Sequence, residues 1–386
     1  MDMMRQPPTS FKSDTFEIVA HPASSKLIVF FSATGTKPGQ FNFWKDGNKL
    51  DCHRMFVQNG RNEWYQSGVP GLGSSIEETV ATIRRWADFL GATEIYTAGG
   101  SMGAYAAILY GSLLKARVLA YSAEIILRIP HSRSENLMVP GNRVIYPDLS
   151  GHIAQSAAPI YGFYGEMDAV DIYCANIIQR SPNMKITTFR HVEHNTPEYL
   201  RDVGLLSKHL NSFLTNKPIC RTPADGRVLE YPDFPSLYLR TYQAFRQSKW
   251  AASVSLGKQA LSIYRASELC QHMVGHALWR QGQPIEALPH LSIAKILNPD
   301  HVPFRSSLAT CLSTLGYLGE AIDLRRETLR LVPDHARTRY NLGLALEKNG
   351  DRDLAKLEFM HAAKLEPTNA AFLRKAGMPT TVTSDE

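Results

Sequence analysis

The sequence predicts an α/β protein with an all-α continuation: a mostly parallel sheet with helices on both faces, then a helical solenoid. Between residues 15 and 215, short apolar runs alternate with helix-like segments, the pattern of strand–helix–strand crossovers. One run, Lys26-Leu27-Ile28-Val29-Phe30-Phe31, is apolar after its first position, as suits a strand covered on both faces. Beyond residue 235 the chain repeats itself with a period of 34 residues.

Composition narrows the function classes. The chain has 386 residues, 44% hydrophobic and 20% charged, which suits two globular domains. The net charge of +6 is spread over both halves without a dense Lys/Arg block, so no nucleic-acid partner is expected. No apolar run approaches the length of a membrane span, so none is expected. Met1 to Pro8 lacks the charged-then-apolar order of a signal peptide, which points to a cytoplasmic address. Cys52, Cys174, Cys220, Cys270 and Cys311 form no C-x-x-C, so packed reduced thiols are expected, with no structural metal and no cofactor.

In chain order, residues 1–14 read as a loose arm and 15–20 as a first strand. Lys26–Phe31 is the next strand and runs into a small-residue loop, Ser32 to Thr36. Arg54–Gln58 is a third strand. Ser75, with Glu78 three residues on, makes a capping box for a helix over 76–90. Ile95–Ala98 is a buried strand and Ala104–Leu114 an Ala- and Leu-rich helix. Arg117–Tyr121 is another strand, followed by a polar, irregular stretch from Ser122 to Ser156. Pro159–Tyr164 is a strand, Ala169–Ile178 a helix and Lys185–Phe189 the last strand. A helix opened by Pro197, with Thr196 as its cap, reaches about Phe213. Residues 216–235 contain four prolines and read as a linker. A repeat domain over 236–375 and a tail over 376–386 complete the chain.

Gly99, Ser101 and Gly103 form G-x-S-x-G between a strand and a helix. A strand that turns into a helix this abruptly leaves no room for side chains beside the turn, so glycine flanks the serine on both sides. The helix N-terminus then faces the hydroxyl with its free N–H groups. This stretch resembles the nucleophile elbow of the α/β-hydrolase superfamily. The resemblance covers about residues 15–214 and implies a triad in the order Ser, acid, His. Ser101, Asp168 and His194 follow that order. Gly165 and Asp168 are similar to the family's G-x-x-D, with Glu166 and Asp171 as competing acids; Asp171 falls one turn into the helix. His194 lies in a loop that can aim its ring at the serine, and His191, which ends the strand, is its rival. The oxyanion hole is expected at the backbone N–H of Met102 and, after the second strand, at Ala33 or its neighbours. Arg61, Trp64 and Tyr65 follow a strand and are candidates to border the cleft. Residues 122–156 occupy the position of the family's lid, with His131, Arg133 and Arg143 available to an anionic group.

In the second half, Gly282, Gly316 and Gly350 are one period apart, as are Ala287, Ala321 and Ala355, and Pro299, Pro333 and Pro367. Gly275, Ala309 and Gly343 supply a small residue in the first helix of each copy. This helix–turn–helix pattern resembles the tetratricopeptide repeat. Leu291 and Phe359 hold a large position that Arg325 breaks. Residues 238–267 read as a degenerate first copy, with Ser248 and Ser253 where Gly and Ala belong and Arg265 in place of Pro. Such an array has a concave face for a protein or peptide partner.

Together these features predict a serine esterase or thioesterase, acting on a small acyl ester or acylated substrate through Ser101, Asp168 and His194. The alternatives are a non-catalytic scaffold with a hydrolase-like domain, or an acyltransferase to a sugar or other acceptor.

Overall fold

The computed structural model describes residues 10–379, so residues 1–9 of the expected arm and 380–386 of the expected tail lie outside the described residues. The chain divides into two compact units, Met1–Leu239 and Arg240–Glu386.

The first unit is built on a mixed eight-stranded sheet in the order β1-β2-β4-β3-β5-β6-β7-β8. The strands are β1 (Ser10–Lys12), β2 (Phe16–Val19), β3 (Lys26–Phe31), β4 (His53–Val57), β5 (Glu94–Gly100), β6 (Arg117–Tyr121), β7 (Ile160–Gly165) and β8 (Met184–Phe189). Part of the expected arm is therefore an edge strand, with Ser10 opposite Val19. β1 and β2 pair antiparallel and β2 joins β4 antiparallel, while β4 to β8 are parallel neighbours. Parallel strands need both faces covered, which is why Leu27 to Phe31 are all fully buried.

The intervening helices are α1 (Trp44–Gly47), α2 (Ile76–Phe89), α3 (Met102–Leu114), α4 (Arg133–Leu137), α5 (Ser150–Gln155), α6 (Ala169–Ile178), α7 (Thr196–Asp202) and α8 (Leu206–Leu214). Side chains alternate across a strand, so β3 feeds two layers. Ile28 and Phe30 join a cluster with Leu200, Leu206, Leu210 and Phe213 from α7 and α8. Phe31 points the other way, its ring 5.2 Å from that of Tyr110 in α3. The Ser75 hydroxyl caps α2 by accepting from the Glu78 N–H at 3.1 Å, but the Glu78 carboxylate turns to the Ser74 N–H and hydroxyl instead of closing the box. The single helix expected after residue 196 is two helices, because Gly204 takes φ 70° and turns the chain between them. The stretch 122–156 carries the short helices α4 and α5.

The Pro-rich stretch 216–235 is a strap packed on β8, which corrects its reading as a linker. The Arg190 N–H donates to Ala224 O and the Gly226 N–H to Thr188 O, both at 2.7 Å. Glu166 Oε1 accepts from Val228 N–H at 2.9 Å and from the Thr188 hydroxyl at 2.8 Å. A Cβ on Gly226 would strike that carboxylate, so glycine is what lets the strap close on it.

From Phe234, just before the second unit begins, the chain is helical throughout. Helices α9 (Phe234–Arg246), α11 (Glu268–Arg280), α13 (Val302–Leu315), α15 (Ala336–Asn349) and α17 (Ala370–Ala376) begin 34 residues apart. So do α10 (Trp250–Ile263), α12 (Pro284–Leu297), α14 (Leu318–Leu331) and α16 (Arg352–Leu365). The degenerate first copy thus keeps the register. Gly282, Gly316 and Gly350 all take left-handed φ, at 76°, 91° and 96°. Ser248, their counterpart, takes φ 55° despite its Cβ. Gly275 and Gly343 let the second helix of each pair approach: a Cβ there would meet Leu291 or Phe359. Where Arg325 replaces that large residue it is still buried, and it donates to the carbonyls of Ala309 and Ala321, each at 3.2 Å, and to the Ser313 hydroxyl at 3.0 Å. Burial pushes its guanidinium down to about 10.

Candidate active site

The strand register brings the site together. Phe31 at the end of β3 pairs with Gly99, and Gly100 pairs with Tyr121, so the loop after β3 lies beside the turn that follows β5. At that turn Ser101 takes φ 56°, ψ −123°, a strained conformation for a residue with a Cβ. Its N–H donates to Tyr121 O at 2.9 Å, which pins the turn. The flanking glycines are required sterically: a Cβ on Gly99 would strike the Gly103 carbonyl, and one on Gly103 would strike the Phe31 carbonyl. The helix α3 opens at Met102, whose N–H belongs to its unpaired first turn.

His194 lies opposite. Its Nε2 is 2.8 Å from Ser101 Oγ, and its Nδ1 is 3.0 Å from both carboxylate oxygens of Asp171. His191 stays in the exposed turn before it, with φ 63°. The carboxylate paired with His194 is therefore that of Asp171 and not that of Asp168, which corrects the expected pairing. Asp168 is the N-cap of α6: its Oδ1 accepts from the N–H groups of Val170 and Asp171 at 3.0 and 2.9 Å. Its Oδ2 is held by Arg133 Nη1 at 2.7 Å. Both oxygens are thus committed. Asp171 is in the first turn of the same helix, where side chains lean toward the N-terminus, so its carboxylate reaches back over the strand ends to His194. Its side chain is fully buried.

Charge at the site is balanced by this pairing. Burial works against a charged His194, but the Asp171 carboxylate and its hydrogen bond outweigh it and hold the imidazole above its ordinary value. Burial also opposes the Asp168 anion, and Arg133 outweighs it, holding that carboxyl below its ordinary value. Arg133 is the cation that lets two buried carboxylates stand near one histidine. Among the described residues, Asp168, Asp171 and His194 are a group with ligand atoms within 4.8 Å of one another, the spacing of a metal site. The commitments just given leave them serving Ser101 and Arg133.

A cavity of about 250 Å³ opens onto the serine, lined among others by Ala33, Asn42, Phe43, Gly100, His194 and Arg201. Arg201 is paired with Asp46 at 3.2 Å. Three expected cleft residues are elsewhere. Trp64 and Tyr65 are fully buried, and the Tyr65 hydroxyl donates to Ser32 O at 2.9 Å and Val57 O at 3.2 Å. They hold up the loop from below because large apolar rings gain most from full burial. Arg61 is exposed and pairs with Glu63 at 3.3 Å. Ala33 does line the cavity, but its N–H is engaged by Asn42 at 2.6 Å.

The second unit is matched by a family model over residues 336–369. That segment is a tetratricopeptide repeat. It spans α15, α16 and the turn before α17. Among solved structures, a crystal structure of MamA is 17% identical, with 36% of this chain and 80% of that one covered and a TM-score of 0.34. YrrB, described as a TPR protein with an unusual peptide-binding site, is 22% identical over 48% of this chain and 90% of that one, with a TM-score of 0.37. MamA from Desulfovibrio magneticus RS-1 is 16% identical over 46% and 94%, with a TM-score of 0.35. No curated protein matches the chain. Among the described residues no helix is long and apolar enough to cross a membrane.

Proposed function

We propose that the first unit is a serine hydrolase of the α/β-hydrolase type that cleaves an ester or thioester, and that the tetratricopeptide repeats recruit its protein or peptide partner. The observation that carries the reading is the continuous hydrogen-bonded line Ser101–His194–Asp171 at a strained strand-to-helix turn. A serine hydroxyl is a weak nucleophile near neutral pH and needs this arrangement. Ser101 Oγ attacks the acyl carbon while His194 Nε2 takes its proton. Asp171 keeps the other ring proton on Nδ1 and steadies the imidazolium. The carbonyl oxygen becomes an oxyanion beside the Met102 N–H and the N-terminus of α3. His194 then gives its proton to the leaving alcohol or thiol, and the acyl group remains on Ser101. Water, activated by the same imidazole, releases the acid. A sugar or other hydroxyl in place of water makes the reaction a transfer.

A second reading, a non-catalytic scaffold, draws on the repeat match at residues 336–369, since such repeats serve protein interaction. Turnover of p-nitrophenyl and thioester substrates of short acyl chain separates the two. The hydrolase reading expects turnover by the wild type and its loss in Ser101→Ala. Equal rates in both proteins, or none in the wild type, favour the scaffold.

A further inference from the structure

An oxyanion forming at Ser101 needs a second donor besides Met102, and the neighbouring backbone does not offer one at Ala33. The Ala33 N–H donates to Asn42 Oδ1 at 2.6 Å. The Thr36 hydroxyl lies 3.1 Å from the same oxygen and shares its one proton with the Ala33 carbonyl at 2.8 Å. The Ala33 backbone N–H can only donate, so it settles which end of the amide is oxygen and leaves Nδ2 as the free end. No protein acceptor for Nδ2 appears among the described residues, and Asn42 lines the same cavity as Ser101 and His194. The residue is also anchored through its backbone, whose N–H donates to Ser32 Oγ at 3.2 Å. The following residue, Phe43, takes φ 61° and buries its ring. Asn42, an exposed residue at the mouth of the cavity, is thus held in advance through its side-chain oxygen and its backbone N–H, and such preorganisation is what oxyanion stabilisation requires.

We infer that the Asn42 side-chain amide is the second oxyanion donor, with Ala33 and Thr36 acting to aim it; this rests on the hydrolase reading. As the acyl carbon becomes tetrahedral, the negative oxygen accepts from Met102 N–H and from Asn42 Nδ2. Ala33 contributes by positioning, not by contact with substrate.

The two assignments predict opposite responses to one substitution. Asn42→Ala removes the amide and frees the Ala33 N–H. If Ala33 were the donor, turnover would hold or rise. If Asn42 is the donor, kcat falls by about 10²–10³-fold with little change in KM, because the contact strengthens in the transition state. Asn42→Leu removes the donor in a similar volume without placing a charge beside the oxyanion, and it covers the case in which the alanine variant fails to fold. The test is kcat and KM of wild type, N42A and N42L on p-nitrophenyl acetate, with thermal melting as the check on folding. Loss of kcat in the folded variants supports the assignment. A wild type that turns over alongside folded variants of equal kcat overturns it and leaves the hydrolase reading standing. A wild type without turnover overturns both.

Discussion

The two units use regularity in opposite ways. The repeat unit keeps one register through nine helices of the described chain, and where its pattern fails the failure is confined to a side chain: Ser248 for glycine, Arg325 for a large apolar residue. The first unit gathers its hydrogen-bonded Ser101–His194–Asp171 line where regularity stops, at a serine of positive φ, a loop histidine and a helix's first turn. A register shared by many neighbours tolerates a local defect because each helix rests on the next. A reacting centre held between loops does not, since small displacements misalign donor and acceptor. Substitutions should therefore separate the two units by kind of effect, activity in one and stability in the other.

The largest expected effect is at Ser101. Ser101→Ala should lower ester turnover on the order of 10⁶-fold while leaving the melting temperature near that of the wild type. Next comes the contrast between the two acids of α6. Asp171→Asn should cost about 10⁴ in kcat, by presenting the wrong partner to His194 Nδ1. Asp168→Asn should act mainly on stability, because asparagine still caps the helix while Arg133 loses its charge partner, a loss of about 1–3 kcal/mol by thermal or urea melting. The reverse ranking would return the acid to Asp168.

The pH profile is a smaller but more specific handle. An imidazolium cannot accept the serine proton, so kcat/KM falls as pH drops through the His194 pKa. That pKa is raised above 6.5, so the midpoint of the acid limb should lie above pH 6.5. Arg133 opposes charge on His194, so Arg133→Met should move the limb to higher pH. A midpoint below 6.5 in the wild type would mean that Asp171 does not control the ring.

The smallest effects belong to the repeats. Ser248→Gly should relieve a left-handed residue and stabilise by up to about 1 kcal/mol. Arg325→Leu should raise the melting temperature as well, since burial of an unpaired guanidinium among carbonyls is replaced by apolar contact. Neither should alter ester turnover, and a change in kcat would remove the division between the units.

Much of this was legible in the sequence where steric or periodic demands leave few residue choices. Gly99 and Gly103 could be read because the turn excludes a Cβ at both positions, and the 34-residue period because packing repeats it. The Ser101 and His194 pairing followed from chain order. The acid did not, because Asp168 and Asp171 share the first turn of one helix and differ only in side-chain direction and in the remote Arg133. Trp64 and Tyr65 were misplaced because a strand-end aromatic looks the same whether it floors a loop or faces a cleft. The strap over 216–235 was hidden because prolines signal a break in regular structure, not whether the chain lies against something. Asn42 gave no signal, since its role depends on which atom accepts from Ala33.

Activation of Ser101 by His194 and Asp171 can be read without knowledge of the substrate, through phosphonylation by a fluorophosphonate. The measurement is the labelling rate of the wild type, S101A, D168N and D171N, with the modified residue mapped by peptide mass spectrometry. Ser101 should be modified rapidly in the wild type and not at all in S101A, with little change in D168N and a large loss in D171N. Labelling at another residue, or equal rates in the wild type and D171N, would contradict that activation.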